Sequence, residues 1–413
     1  MKQLWLEKYR AAQERRREPR DVLVGFNANL DRIIEGESFD VESVEARHHD
    51  RVETIEEFRE QIRYSAEKRV NEEVDLDFNP GLEKGDVRIG GQAGIVSNFL
   101  SEHGHGVIFY TPLLSETLAQ RLNEKILYPV MDGDFVLKNI RDASTTDRTK
   151  ENVIVEFGGE KTSRTIFSQK LRGFGPYFRK GVEDNMEQLE NGFERAIVSG
   201  FHDADGNIEA KLKKSAQQLS KISEPIHLEF VHREKTDKLV IEHILENVDS
   251  IGVDENELKE ISKHLGMETS DLSLEDSFEV GKTLIQRFDL SRVAIHTYSY
   301  HLTVTDSDYG VEPEKVLDGM LFGELCAISM ADSGGLSYSG FEDLGFDDIH
   351  LHKLDSIESF AESQDLDGFV STGIAELEEV NVFAIPTLIH EDPERLVGMG
   401  DVISAGSFIG EIS

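Results

Sequence analysis

Between residues 196 and 230 the chain runs Ala196-Ile197-Val198, crosses a helix-patterned stretch from Ile208 to Ile222, and returns to Ile226-His227-Leu228-Glu229-Phe230. Two short continuous apolar runs with a helix between them predict a crossover unit in which both strands are buried and parallel. The same grammar recurs on either side. Val22-Leu23-Val24, Gly106 to Tyr110, Val293-Ala294-Ile295-His296 and Val382 to Ile385 read as further buried strands. Leu118 to Ile126, Leu239 to Leu245 and Glu255 to Leu265 read as helices. Strand alternating with helix predicts a doubly wound α/β domain with a mostly parallel sheet and helices on both faces. Ligands in such a domain bind beyond the carboxyl ends of the strands.

The chain has 413 residues, which is more than one compact core usually carries, so a second, smaller domain is expected. Its 81 acidic residues against 44 basic ones give a formal net charge of −37. Such a surface repels nucleic acid and anionic membranes, so neither is an expected partner. A spread acidic excess also suits hydration in concentrated salt, and a halophilic source is the expectation. The single cysteine, Cys326, excludes an intrachain disulfide and reads as a small buried apolar residue. Neither a signal-like apolar segment at Met1 nor a bilayer-length apolar run is evident, so the expected location is cytoplasmic. Arg15-Arg16-Arg17 lies among glutamates and reads as a solvated helix face. With no coiled-coil pattern or exposed apolar stripe, a monomer is expected.

Near the end comes Gly398-Met399-Gly400-Asp401, followed by an apolar helix-like run from Val402 to Ile409. Two glycines permit a tight turn and close approach to a ligand. The free N–H groups at the start of a helix attract an anion, most naturally a phosphate. Asp401 at that mouth is placed to take a proton from an attacking hydroxyl while the N–H groups hold developing charge. The plainer reading makes Asp401 an N-cap and the glycines a turn.

Other polar groups fall just after strands. Phe26-Asn27-Ala28-Asn29-Leu30-Asp31 follows the first of them. Asn27, Asn29 and Asp31 alternate, so all three are expected to face one side, where amides and a carboxylate suit sugar hydroxyls; otherwise they are turn formers. Arg88-Ile89-Gly90-Gly91-Gln92-Ala93-Gly94 follows. His227 and Glu229 flank Leu228 and so share one face of their strand. Asp254-Glu255-Asn256-Glu257 carries the spacing of a capping box. His296-Thr297-Tyr298 closes the set.

In this order, these motifs resemble the ADP-dependent sugar kinases, the archaeal-type glucokinase and phosphofructokinase family within the ribokinase-like superfamily. The resemblance spans nearly the whole chain and implies a ribokinase-like fold. It assigns the sugar to Asn29 and Asp31, with Gly90 and Gly91 letting the backbone approach. It assigns Asp401, with Gly398 and Gly400, to catalysis. His227, His296 and Arg164 are implied on the nucleotide, and Glu229 and Glu257 on Mg2+, the expected cofactor. Magnesium keeps several of its waters, so Glu229 is expected to act through water with His227 as an orienting neighbour. Asp254 stands where the family has asparagine, which puts its metal role in doubt.

Two stretches break the alternation. Residues Ile33 to Val87 are highly charged, and Asn152 to Phe157 with Gly158-Gly159 and Thr165-Ile166-Phe167 reads as a β-hairpin. The resemblance makes them a discontinuous lid of 33–87 and 137–171, set on a large domain of 1–32, 88–136 and 172–413. The expected reaction passes the β-phosphoryl of Mg-ADP to glucose and/or fructose 6-phosphate, leaving AMP. Glu72 is the expected lid contact to glucose. Lys170 and Arg172 are the candidates for a sugar phosphate, whereas Leu388 stands where many members have arginine. An ATP-dependent ribokinase-like kinase and a non-catalytic sugar or nucleotide sensor remain open alternatives.

Overall fold

The computed structural model describes residues 1–413 except 83, 159–162, 268–271, 336–340, 347–348, 392 and 395–396. Eleven strands form one sheet in the order Ile374–Glu376, Val380–Pro386, Tyr300–Asp306, Arg292–His296, Ser250–Asp254, Ile226–Glu229, Arg195–Val198, Asp21–Gly25, Gly106–Tyr110, Leu127–Asp132, Asp134–Asn139. The run from Arg292–His296 to Leu127–Asp132 is parallel throughout, and the remaining pairings are antiparallel. All six strands expected from their apolar runs lie in this sheet. Helices Gln92–Glu102, Ile208–Leu219, Asp237–His243, Glu255–Leu265 and Met399–Gly410 intervene or follow. The antiparallel strand Tyr300–Asp306 and the helix Pro313–Ser333 were not foreseen.

A second sheet has six strands in the order Arg51–Val52, Glu72–Leu76, Ser163–Gln169, Glu151–Phe157, Asn29–Glu35, Asp86–Gly90. It closes over its own core of Val52, Phe58, Ile62, Val74, Val155 and Phe167, separate from the core of the larger sheet. The helix Ile55–Lys68 packs on it, started by a capping box between Thr54 and Glu57. Thus the charged region from 33 to 87 does contain strands and a helix. The expected hairpin pairs Ile154 with Ile166, while its Gly159 lies outside the described residues. Residues 33 and 87 fall inside strands of the second sheet, and residue 137 falls inside a strand of the first. The chain therefore crosses between the sheets before Asn29 and after Gly90, a few residues outside the expected boundaries at 33 and 87.

Helix Met399–Gly410 is buried almost all round. It lies against helix Pro313–Ser333 at backbone distance: a Cβ on Gly406 would stand 2.8 Å from the Cα of Gly323, and one on Gly319 would stand 2.6 Å from the Ser407 carbonyl oxygen. Its far end is held by charge. Arg195 (Nη1) meets Glu411 (Oε1) at 2.5 Å, Arg292 (Nε) meets Glu411 (Oε2) at 3.3 Å, and Arg195 also donates to the Phe408 carbonyl. Two cations at a helix C-terminus complement its dipole. The basic run Arg15-Arg16-Arg17 is not a helix face. The first helix ends at Glu14, Arg15 is extended, and Arg17 turns inward to Asp318 and the Gly410 carbonyl oxygen.

Candidate active site

The carboxyl ends of three adjacent strands deliver Glu229, Asp254 and His296 to one edge of the large sheet. His227 and Glu229 share a face, as alternation requires. A Cβ on Gly252 of the neighbouring strand would lie 2.9 Å from His227 Nε2, 2.6 Å from Glu229 Oε2 and 2.2 Å from Ser404 Oγ. Only glycine leaves room there for these groups and for the helix carrying Ser404. His227 bonds Ser250 through Nδ1 at 2.8 Å, stands 3.3 Å from Glu229 through Nε2, and stacks on Phe408. Burial first, then Arg292 and Arg195, push its pKa well below the ordinary histidine value, so it is neutral.

Helix Met399–Gly410 begins inside the glycine motif rather than after Asp401. Gly398 is the N-cap, with φ of 84°, a left-handed conformation natural to glycine. Asp401 is therefore in the first turn and does not serve as the N-cap. Its Oδ2 would lie 3.7 Å from a Cβ on Gly398, so the carboxylate folds back over the turn. The His296 ring covers Gly400, whose Cβ would come within 2.6 Å of Nε2. Burial brings His296 down to about 4, His301 adding to the shift and Asp254 opposing it.

Glu229, Asp254, Glu257 and Asp401 form one acidic group. Burial, then Asp401 and Glu257, push the Glu229 carboxyl well above its usual range, with the nearby Ser404 hydroxyl pulling the other way. Burial, then Asp254, do the same to Glu257. Asp254 and Glu257 do form the capping box: Asp254 Oδ1 accepts from the Asn256 and Glu257 N–H groups at 2.8 Å each, and Glu257 Oε2 accepts from the Asp254 N–H at 2.8 Å. One oxygen of each is thereby committed. Among the described residues no three His, Cys, Asp or Glu side chains make a ready cage for a bare ion. The buried Glu229 and Glu257 carboxyls, raised by burial and then by their acidic neighbours, fit a hydrated divalent cation, which would relieve that repulsion while keeping waters of its own.

The expected sugar pair stands beside the Gly398 turn. Asn29 Nδ2 donates to Asp31 Oδ1 at 2.6 Å, and Asn29 lies opposite Gly90 in the second sheet. A Cβ on Gly90 would fall 2.1 Å from Asp31 Oδ2, and one on Gly91 would fall 2.9 Å from Asn29 Oδ1. Gly91 caps helix Gln92–Glu102, and Ile95, one turn on, packs on Gly398. Two helix starts thus meet where the two sheets meet. Asn27 does not join its expected partners. It bonds Gln92, the Ala93 N–H and Ser199 and so fixes the connection to the second sheet.

A cleft of about 1010 Å³ opens between the second sheet and the segment before Gly398, lined by Asp31, Asn71, Arg164, Glu391 and Val397 among others. Arg164 is thus on the cleft. Glu72 is turned to Gln61, Ser65 and His48. Lys170 is paired with Asp75, and Arg172 lines a separate depression with Arg51 and Asp77. Leu388 is buried, its N–H donating to Glu324.

Two polar residues at this site escaped notice in the sequence. Asn152 donates to Asp31 Oδ1 at 3.1 Å, and Lys150 is buried with its Nζ 2.8 Å from Asp203 and its carbonyl oxygen bonded to the Leu30 N–H. Both belong to Lys150-Glu151-Asn152 at the start of the hairpin. Their polarity at the head of an otherwise apolar strand was the available signal.

The conserved region described as ADP-specific phosphofructokinase/glucokinase matches residues 20–410. The chain belongs to that family. Within this kinase family it is 27% identical to an ADP-specific phosphofructokinase of Pyrococcus abyssi, over 95% of this chain and 97% of that one. It is 25% identical to an ADP-dependent glucose/glucosamine kinase of Pyrococcus furiosus, over 99% of each. The crystal structure of a hypothetical ADP-dependent phosphofructokinase from Pyrococcus horikoshii superposes with a TM-score of 0.82 over 96% of this chain and 98% of that one, at 24% identity. An ADP-dependent kinase solved with fructose-6-phosphate and ADPβS gives 0.83 over 99% and 97%, at 23% identity. The family kinases therefore share this ribokinase-like fold, and both sugar specificities occur among the relatives. Among the described residues no helix is long and apolar enough to cross a membrane.

Proposed function

We propose that this protein is an ADP-dependent sugar kinase acting on glucose and/or fructose 6-phosphate, as its relatives are named to do. One observation carries the reading: the helix start holding Asp401 packs through Ile95 on the helix start at Gly91, which lies against Asn29. Proton acceptor and sugar pair are thereby neighbours, and Asp401 also bears on Glu229 and Glu257.

In this reading Asn29 and Asp31, steadied by Asn152, hold the sugar hydroxyls. Asp401 takes the hydroxyl proton as the oxygen attacks the β-phosphorus, the new O–P bond forms, and the bond to the α-phosphate breaks to release AMP. The N–H groups at the Gly398 turn hold the negative charge on the phosphoryl oxygens. Arg164 reaches the phosphates from across the cleft, and neutral His296 lines the nucleotide side. Glu229 and Glu257, with Asp254, would hold hydrated Mg2+, whose charge offsets that of the nucleotide phosphates when bound. The second sheet serves as a lid that keeps water from the phosphoryl group. A cytoplasmic monomer from a saline environment completes the proposal.

Two assays test it. A coupled assay in concentrated KCl should show turnover with ADP and little with ATP; turnover with ATP alone, or nucleotide binding with no turnover, would replace the reading by one of its alternatives. Asp401→Asn should lower kcat by about a hundredfold or more, the scale of a lost general base, with an unchanged melting temperature. Undiminished kcat would remove Asp401 from that role.

A further inference from the structure

Away from the cleft, the turn after the first helix and the end of helix Gln92–Glu102 enclose a cavity of about 140 Å³. Arg15, Arg16, Arg17, His105, Phe322 and Phe341 line it, together with His103 and Glu18. In a chain of net charge −37, three successive arginines gathered round one cavity are a local reversal of sign.

The donors there are incompletely used. Arg17 is buried against the Phe322 ring and anchored to Asp318 and to the Gly410 carbonyl oxygen, yet its Nε–H has no hydrogen-bond partner among the described residues. Arg16 is exposed and makes no hydrogen bond or ion pair among the described residues. Arg15 shares Asp318 with Arg17 at 3.0 Å. His105 Nδ1 accepts from the Arg20 N–H at 3.0 Å, which places the proton of the neutral ring on Nε2 as a donor. A buried guanidinium N–H left without an acceptor is costly, and an anion with several acceptor oxygens would satisfy it.

We propose that this cavity is a binding site for a small phosphate-bearing anion, distinct from the catalytic cleft. Arg16 supplies the free charge, Arg17 Nε and His105 Nε2 supply fixed donors, and Phe322 and Phe341 form an apolar wall. Arg17 also holds the last carbonyl of helix Met399–Gly410, whose first turn carries Asp401. An occupant therefore bears on the far end of the helix that presents the proposed base.

Equilibrium dialysis with radiolabelled inorganic phosphate tests the site on the full chain, comparing wild type with Arg16→Glu and Arg16→Lys. One class of site in the wild type should weaken about tenfold or more in Arg16→Glu and be largely retained in Arg16→Lys, as expected for loss of a charge-assisted contact. Asp401→Asn should leave that class intact, which separates it from phosphate bound at the catalytic turn. Glycerol phosphate and AMP form further arms. Tighter binding of an organic phosphate would assign the apolar wall a part, and preference for inorganic phosphate would assign the site to the free ion. Identical isotherms in wild type and Arg16→Glu would overturn the proposal, as would a wild type with no class of site sensitive to this position.

Discussion

Glu257 shows how a single side chain can be asked for two things at once. Its carboxylate closes a capping box that starts a helix, and burial, with the Asp254 and Asp401 carboxylates beside it, raises its pKa. Glutamine can keep the capping bond and shed the charge. Glu257→Gln should therefore melt at a higher temperature in metal-free buffer, since a buried repulsion is gone, while needing about tenfold more Mg2+ for half-maximal activity. Differential scanning calorimetry and a magnesium titration of the assay check the two halves. A lower melting temperature would show that the carboxylate is more helix start than cation site. At this scale the sequence was partly legible. Residues that act within a few positions of each other, such as His227 with Glu229 or Asn29 with Asp31, could be read from alternation. Asn152 offered only its polarity at a strand head, because its partner Asp31 is 121 positions away and nothing local specifies the contact. Asn27 was misplaced because the strand begins only at Asn29, so alternation does not yet hold at 27.

Helix Met399–Gly410 is fixed at both ends by different means. Its start is shaped by the Gly398 turn, and its end by Arg195, Arg292 and Glu411, all nearly fully buried. Removing the shared carboxylate would strand two buried guanidinium groups. Glu411→Gln should cost about 3–5 kcal/mol of stability, the usual penalty for breaking a buried pair from one side, measured by denaturant unfolding. A loss below about 1 kcal/mol would mean that the Phe408 carbonyl and ring suffice for these cations. The elements that sequence reading found were those with an unmistakable period or a continuous apolar run. Helix Pro313–Ser333 was missed for the opposite reason: it is buried from Val316 to Ala331, and a helix apolar on all sides has no polar face to reveal its period. Strand Glu72–Leu76 was missed because Glu-Glu-Val-Asp-Leu offers only two apolar positions.

Across the whole molecule, the two sheets are joined by ion pairs as well as by chain. Lys150, at the head of a second-sheet strand, meets Asp203, which follows strand Arg195–Val198 of the large sheet, at 2.8 Å. Arg233, after a strand of the large sheet, meets Glu73 and Asp75 of the small one. Burial alone would raise Asp203, but Lys150 and His202 outweigh it and bring it down to about 2 from an ordinary 3.8. A carboxylate depressed on folding stabilises above its unfolded value and loses that contribution as pH falls through the folded one. The pair should thus contribute about 2 kcal/mol at neutral pH and lose it between about pH 4 and pH 2, a step absent in Asp203→Asn. The −37 charge acts in the reverse sense, since self-repulsion weakens any compact state in dilute buffer. The melting temperature should climb as KCl is raised, because screening of the like charges outweighs that of the few cross-sheet pairs. A flat or falling trend would leave the acidity without a halophilic explanation.

The smaller sheet is assembled from two separate excursions of the chain. Strand Asp21–Gly25 is flanked by Gly106–Tyr110 and Arg195–Val198, none of which belongs to either excursion. Short bridges replacing both loops of sequence would leave every neighbour in the eleven-stranded sheet unchanged. Shorn of both, the eleven-stranded sheet would still carry the Gly398 turn with Asp401 and the acidic edge at Glu229 and Asp254.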